Sequence, residues 1–277
     1  MTSSRPEIGS RVDANGIGTN YLKAGDGAPV VLVHGSGPGV SAYANWRLTI
    51  PPLSQRYSVY APDMVGFGFT DRPVGIDYTI KTWTDQLVGF LDALGLERVS
   101  IVGNSFGGAL ALRTASQHPD RIDRLVLMGS VGVPFPITEG LDAVWGYEPS
   151  FENMRRIMDY FAYNRDLVND ELAEVRFRAS TQPGFHESYS AMFPAPRQRW
   201  IDAMATPDEA IADIAAPTLV VHGREDQVIP VANSFRLLEL IPKAQLHVFG
   251  QCGHWTQIEW AEEFATLVSN FLSQPAH

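Results

Sequence analysis

The chain has 277 residues, of which 45% are hydrophobic and 19% are charged, and its formal net charge is −10. This length allows one large or two small domains with a substantial core, and the composition is ordinary for a soluble globular protein. The negative charge argues against nucleic acid, and against an anionic membrane surface as the main partner.

Cysteine content and apolar patterning bear on the cellular location. The single cysteine, Cys252, excludes an internal disulfide framework and suits a reducing cytoplasm. No apolar run approaches the length of a membrane span, and the first seven residues lack the apolar core of a signal peptide. We therefore expect a cytoplasmic location.

Apolar periodicity predicts strands that alternate with helices. Strands are expected at 8–12, 19–23, 29–33, 57–62, 99–102, 121–128, 218–223 and 244–249. Helices are expected at about 42–53 with a break at Pro51-Pro52, then at 82–94, 108–116, 233–240 and 259–272. This alternation predicts the α/β class, with a mostly parallel, doubly wound sheet.

The strand pattern stops in the middle of the chain. Between 134 and 206 amphipathic helical segments rich in aromatic residues and methionine replace it. We interpret 134–206 as a helical lid inserted into a core domain formed by 1–133 and 207–277. Most of its aromatic side chains are expected to pack within the lid.

The pentapeptide Gly103-Asn104-Ser105-Phe106-Gly107 lies between a predicted strand and a predicted helix. A Gly-x-Ser-x-Gly in this context is typical of a nucleophile elbow, in which the glycines allow close packing around a strained serine. The turn would raise the Ser105 hydroxyl above the sheet. It would also set the N–H of Phe106 at a helix N-terminus, where it can face an anion.

A second glycine-rich loop, at 34–39, follows the buried strand at 29–33. Its glycine spacing does not match a dinucleotide-binding turn. Beside a serine elbow, such a loop is expected to supply the second N–H of an oxyanion hole, and Ser36 is the predicted donor.

A serine hydroxyl needs a base and a group that orients the base, and in this architecture the chain order is serine, acid, histidine. Asp226 follows a late strand and is the predicted acid, with Glu225 as the alternative. His254 follows the last strand and is the predicted base.

The other histidines have contexts that favour structural roles. His34 is expected to shape its loop, and His222 and His247 to pack beside strands. The remaining three are His118 near the surface, His186 in the lid and His277 at the end of the chain. No spacing resembles a metal site, and we expect neither a metal nor a cofactor.

Several longer segments are specific to one family. They are the loop at 34–39 with Asn45-Trp46-Arg47, the segment 63–73, the elbow with Gly108, the lid stretches 138–141 and 194–200, and 252–255. In these segments the chain resembles the meta-cleavage product hydrolases of the α/β-hydrolase superfamily. Serine at the elbow argues against the dehalogenase and epoxide hydrolase variants of the fold.

The resemblance implies a small anionic dienoate as substrate, a homodimer or higher homo-oligomer, and specific binding residues. Arg176 matches the lid arginine that binds the carboxylate, with Arg178 as its rival two residues later. Further matched positions are Asn45 and Asn104 around the dienoate, Trp255 as a wall and Phe161 over the substrate.

The resemblance also implies cleavage of the C5–C6 bond of 2-hydroxy-6-oxohexa-2,4-dienoates. Ketonisation through His254 would precede attack at C6, either by Ser105 or by a water that His254 activates. A hydrogen or small alkyl group at C6 is expected, as in 2-hydroxymuconic semialdehyde. Candidate residues for the wall around C6 are Leu141, Trp145, Ile201, Val228 and Ile229.

Two rival functions use the same scaffold. A carboxylesterase would share the triad but would have no use for a buried arginine. A non-catalytic receptor for a small ligand would not need an intact triad.

Overall fold

The structure is a computed structural model that describes residues 5–275. Its strands are β1 (Ser10–Ala14), β2 (Ile17–Ala24), β3 (Ala28–Val33), β4 (Tyr57–Pro62), β5 (Val99–Asn104), β6 (Ile122–Met128), β7 (Thr218–Gly223) and β8 (Ala244–Phe249). They form one sheet in the order β1-β2-β4-β3-β5-β6-β7-β8. The pairs β1/β2 and β2/β4 are antiparallel and all other neighbours are parallel, which confirms the predicted α/β architecture.

The helices before the middle of the chain are α1 (Ala42–Trp46), α2 (Ile50–Leu53), α3 (Ile80–Ala93) and α4 (Phe106–Gln117). Those between β6 and β7 are α5 (Glu139–Trp145), α6 (Phe151–Phe161), α7 (Asp170–Ser180), α8 (Phe185–Met192), α9 (Gln198–Met204) and α10 (Asp208–Ala212). The last are α11 (Ala232–Leu240), α12 (Thr256–Glu259) and α13 (Ala261–Leu272). Two short 3-10 helices cover Pro119–Arg121 and Arg165–Leu167. Within 5–275, no helix is long and apolar enough to cross a membrane.

Strands β4, β5 and β7 are buried along their whole length, as expected for strands of a sheet covered on both faces. One face packs with α3 and α4 in a hydrophobic cluster that continues into the inserted segment, where it includes Leu141 and Phe161. The other face packs against α1, α2 and α13. The inserted helices are therefore joined to the sheet by shared core. The domain boundaries at 134–206 stay a prediction.

One predicted helix is wrong in its continuity. The segment predicted as one helix at 42–53 forms α1 and α2, and Pro51-Pro52 lie in the first turn of α2. Proline is tolerated there because the first N–H groups of a helix have no intrahelical acceptor. The last helix, predicted at about 259–272, is confirmed as α13, and Trp260, whose φ of −124° is not helical, separates it from α12. The prediction about a signal peptide concerned the first seven residues, of which Met1 to Ser4 lie outside the described residues.

Candidate active site

Ser105 lies at the turn between β5 and α4 with φ 54° and ψ −114°, a strained conformation for a residue with a side chain. Hydrogen bonds from Ser105 N–H to Met128 O (2.8 Å) and from Val131 N–H to Ser105 O (3.1 Å) hold it there. A Cβ on Gly103 would come 2.4 Å from Gly107 O, and one on Gly107 would come 2.2 Å from Val33 O. Both glycines of the elbow are therefore required by packing.

Asp226, not Glu225, contacts His254. Asp226 Oδ2 lies 2.7 Å from His254 Nδ1, and both side chains are buried. Burial alone would raise the pKa of the Asp226 carboxyl, but His254 and His222 beside it hold that pKa well below its usual range. The carboxylate is therefore ionised and able to orient the imidazole. Glu225 instead accepts the N–H of Cys252 at 3.0 Å.

The segment that carries His254 is tied to α6 and to the loop after it. Trp255 N–H donates to Phe161 O at 3.0 Å, and the Phe161 ring stacks on Trp255 with a centroid distance of 4.9 Å. Glu259 accepts the N–H of Gly253 at 2.7 Å and that of Asn164 at 2.8 Å. One carboxylate therefore joins the histidine loop to the inserted helices.

Glu259→Gln should lower stability, because its amide keeps one acceptor oxygen, and its NH2 group would then face either the part-buried N–H of Gly253 or the exposed N–H of Asn164. An unsatisfied buried donor costs about 1–3 kcal/mol. Urea unfolding of this variant should show a lower midpoint, while Glu263→Gln, an exposed change at the start of α13, should leave it unchanged. Equal midpoints for the two variants would contradict a bridging role for Glu259.

The predicted oxyanion donors flank the serine. Phe106 is the first residue of α4, where backbone N–H groups have no intrahelical acceptor. Ser36 is held from the inserted segment: its Oγ accepts Trp145 Nε1 at 2.9 Å and its carbonyl accepts the Tyr189 hydroxyl at 3.0 Å. His34 is buried beside it, with its Nε2 accepting Met64 N–H at 2.9 Å. Burial lowers the pKa of His34 to about 4, so it is neutral and structural.

A cavity of about 30 Å³ lies between the elbow and the inserted helices. Ten of the predicted site residues line it: Ser36, Asn45, Asn104, Ser105, Leu141, Phe161, Arg176, Val228, His254 and Trp255. Asp226 lies behind His254, and Phe106 was predicted to act through its backbone. No group of three or more His, Cys, Asp or Glu side chains within 5–275 could hold a metal ion.

One end of the cavity is polar and positively charged. Arg176 Nη2 donates to Pro38 O at 3.1 Å, and no carboxylate within the described residues pairs with this guanidinium. Burial, and secondarily Arg47, lowers the pKa of Arg176 to about 10, so it stays charged at neutral pH. Arg178, the rival, is exposed and pairs with Glu174.

Two asparagines beside this arginine carry unused hydrogen-bonding capacity. Asn104 Nδ2 donates to Asn45 Oδ1 at 2.9 Å, and Gly35 N–H donates to the same oxygen at 3.2 Å. Asn45 Nδ2 and Asn104 Oδ1 are buried with no partner in the described part of the chain. Buried polar atoms without partners are rare, so this pair is suited to a bound polar group.

The opposite end of the cavity is apolar. It is lined by Leu141, Val144 and Val228. The adjoining cavity shares Arg176, Asn45 and Trp255 with this one, but it contains none of those three apolar residues. Among the predicted wall residues, Trp145, Ile201 and Ile229 are buried but do not line the cavity. Sequence reasoning missed Val144, which is one helical turn from Leu141 and could have been found by that spacing. It also missed Val40, for which no signal stands out.

Comparison with known proteins places this chain in a family. The α/β hydrolase fold family matches residues 28–261. The chain is 61% identical to 2-hydroxy-6-oxo-2,4-heptadienoate hydrolase of Pseudomonas putida strain F1, over 99% of both chains. It is 60% identical to 2-hydroxymuconate semialdehyde hydrolase of Pseudomonas sp. strain CF600, over 97% of this chain and 95% of that one.

A solved structure agrees with these relatives. The meta-cleavage product hydrolase CumD of Pseudomonas fluorescens IP01, determined in complex with acetates, superimposes with a TM-score of 0.95 at 61% identity. The match covers 96% of this chain and 98% of that one. The chain belongs to the meta-cleavage product hydrolases of the α/β-hydrolase superfamily.

Proposed function

We propose that this protein hydrolyses the C5–C6 bond of 2-hydroxy-6-oxohexa-2,4-dienoates, releasing 2-hydroxypenta-2,4-dienoate and a carboxylic acid. The observation that carries the proposal is Arg176, a charged and enclosed guanidinium with no carboxylate partner in the described chain, at the end of a cavity that also contains Ser105. A planar guanidinium binds a carboxylate through two parallel hydrogen bonds. The family membership and the names of the relatives support the same reaction.

The asparagine pair suits the 2-hydroxyl group beside that carboxylate. Asn104 Oδ1 is free to accept a hydrogen bond and Asn45 Nδ2 is free to donate one. A hydroxyl is both a donor and an acceptor, so it can satisfy both atoms. We propose that Arg176, Asn45 and Asn104 hold the dienoate end, with Trp255 and Phe161 as walls over the conjugated chain.

The reaction needs two proton-dependent stages. His254 delivers a proton to C5 and the 2-hydroxyl group releases its own proton in exchange, so that C2 becomes a ketone and C5 a stabilised leaving carbon. Attack on the C6 carbonyl then gives an oxyanion that the N–H groups of Ser36 and Phe106 receive. We favour Ser105 as the attacking group, with His254 as its base and an acyl-enzyme as the intermediate. A water activated by His254 is the competing route.

The size of the cavity implies movement during binding. A volume of about 30 Å³ admits only a few waters and not a dienoate. We propose that the segment 134–206 acts as a lid that shifts to admit the substrate. The bridge through Glu259 would then couple this shift to the position of the histidine loop.

The apolar end of the cavity defines the substituent at C6. Leu141 and Val228 are each 1% exposed, and Thr138 Oγ1 donates to Val228 O at 2.7 Å, which joins their segments. We propose that a hydrogen or a small alkyl group at C6 packs here. The relatives named for heptadienoate and semialdehyde substrates support this size.

Leu141→Ala should therefore raise the kcat/KM for a 6-isopropyl substrate relative to the 6-hydrogen substrate by about 10-fold, since one or two methylenes are worth that much in a hydrophobic pocket. Leu172→Ala, a change in the adjoining cavity near Arg47, should leave the ratio within a factor of about two. Steady-state kinetics on the hydrogen, methyl, isopropyl and phenyl series measures this ratio. A wild-type preference for phenyl would contradict the assignment of a small substituent.

The rival esterase activity is tested by comparing two substrates. The dienol is yellow, so its absorbance decay reports turnover and can be compared with hydrolysis of a nitrophenyl ester. We expect a higher kcat/KM for the dienol. A fast ester reaction with the dienol untouched would reject the proposal.

Homodimer formation and a cytoplasmic location stay predictions from the resemblance and the composition.

A further inference from the structure

Two histidines share one oxygen of the Asp226 carboxylate. His254 Nδ1 lies 2.7 Å from Asp226 Oδ2, and His222 Nε2 lies 3.2 Å from the same atom. The other carboxylate oxygen accepts the N–H groups of Val228 and Ile229 at 2.7 and 2.9 Å. The reaction proposed above uses His254 alone, so it gives the contact from His222 no role.

The partners of His222 define its protonation. Its Nε2 faces the Asp226 carboxylate and, at 3.0 Å, the carbonyl of Ile229, and both are acceptors. Nε2 must therefore carry a proton. Its Nδ1 lies 2.6 Å from the Ser234 hydroxyl, which can donate to it. A proton on Nε2, with Nδ1 paired to the Ser234 hydroxyl, thus satisfies every contact.

The surroundings keep this donor in place. His222 lies on β7, Ser234 lies on α11, and both side chains are 0% exposed. His222 does not line the substrate cavity. Any effect it has on turnover must therefore pass through Asp226 and the carbonyl of Ile229.

We propose that His222 is a positioning residue that fixes the Asp226 carboxylate, so that Asp226 Oδ2 stays directed at His254 Nδ1. A triad carboxylate keeps the imidazole in one tautomer and one orientation. Three hydrogen bonds hold the carboxylate, and the N–H of His222 Nε2, which Ile229 O also accepts, adds a contact of 3.2 Å to Oδ2 that limits rotation of the carboxylate away from the imidazole. Without the His222 donor, Oδ2 would be held by His254 alone. This inference rests on the proposed hydrolase function, because turnover is its readout.

Two polar substitutions separate positioning from packing. In His222→Gln the side-chain amide reaches the former Nε2 position and can still donate to Asp226 Oδ2. In His222→Asn the amide ends near the former Nδ1, so it keeps a partner in Ser234 but leaves Asp226 without the donor. Each purified variant is assayed for kcat and KM on the dienol, with thermal unfolding measured in parallel.

We expect His222→Asn to lower kcat on the order of 10-fold, the scale of a small misplacement of a catalytic group. KM should stay within about twofold, and His222→Gln should keep most of the wild-type kcat. Equal losses in the two variants, wild-type turnover in both, or failure of both to fold would overturn the proposal. A wild-type protein inert towards the dienol would instead reject the proposed function, which is a separate outcome.

Discussion

Replacement of Ser105 by alanine should lower kcat on the dienol by a factor of about 10^4 or more, the scale seen when a serine nucleophile is removed from a triad. The residue lies on a strained turn with the cavity above it, and no neighbouring hydroxyl among the described lining residues except Ser36 could replace it. The Ser36 hydroxyl already accepts a hydrogen bond from Trp145. Steady-state absorbance assays measure the loss.

Binding should survive this change. The change leaves the side chains of Arg176, Asn45 and Asn104, which are proposed to hold the dienoate, unaltered, so we expect a dissociation constant within about threefold of the wild-type KM. Titration of Ser105→Ala with the dienol, followed through its absorbance spectrum, provides that constant. Ser116→Ala, at the far end of α4, is the matched control and should keep full activity. Undiminished turnover by Ser105→Ala would remove the hydroxyl from the mechanism.

Arg176→Gln should raise KM for the dienol by about 10-fold to 100-fold, since a hydrogen bond to a charged group is worth about 1.5–3 kcal/mol. The glutamine keeps a polar but shorter side chain and loses the charge and the planar pair of donors. Arg178→Gln is the internal control, because Arg178 is exposed on the same helix and pairs only with Glu174. Its KM should change less than twofold.

The same variant separates two substrate classes. A neutral ester has no carboxylate for Arg176, so Arg176→Gln should leave hydrolysis of a nitrophenyl ester within about twofold of wild type. The loss should thus be specific to the dienoate. An equal loss on both substrates would mean that Arg176 supports the fold of the lid and not recognition of the anion.

Local patterns in the sequence were enough to predict the sheet and the placement of the proposed triad. Each of these features is local in the sequence: the elbow glycines with the serine, and the loops after β7 and β8. Parallel strands end at one edge of the sheet, and so they bring these loops together. Chain order was enough to select His254 and the loop that carries Glu225 and Asp226. The predicted acid was Asp226 with Glu225 as the alternative, and the geometry shows that Asp226 reaches the imidazole. Arg176 came from resemblance, since nothing in its local sequence distinguishes it from Arg178.

Long-range contacts account for what the sequence could not provide. His222 was predicted to be packed beside a strand, and it is, but its contact with Asp226 depends on how the loop after β7 folds back. The bridge through Glu259 joins residues 95 positions apart in the chain. The break between α1 and α2 was misplaced because Pro51-Pro52 can begin a helix as readily as end one.

Hydrolysis of a 6-methyl dienol substrate in water enriched with oxygen-18 tests the central claim most directly. If the protein hydrolyses the C5–C6 bond, mass spectrometry should find equimolar 2-hydroxypenta-2,4-dienoate and acetate, with one labelled oxygen in the acetate. Both the acyl-enzyme route and the water route predict this label. An unchanged dienol, or products in which the C5–C6 bond is intact, would contradict the account.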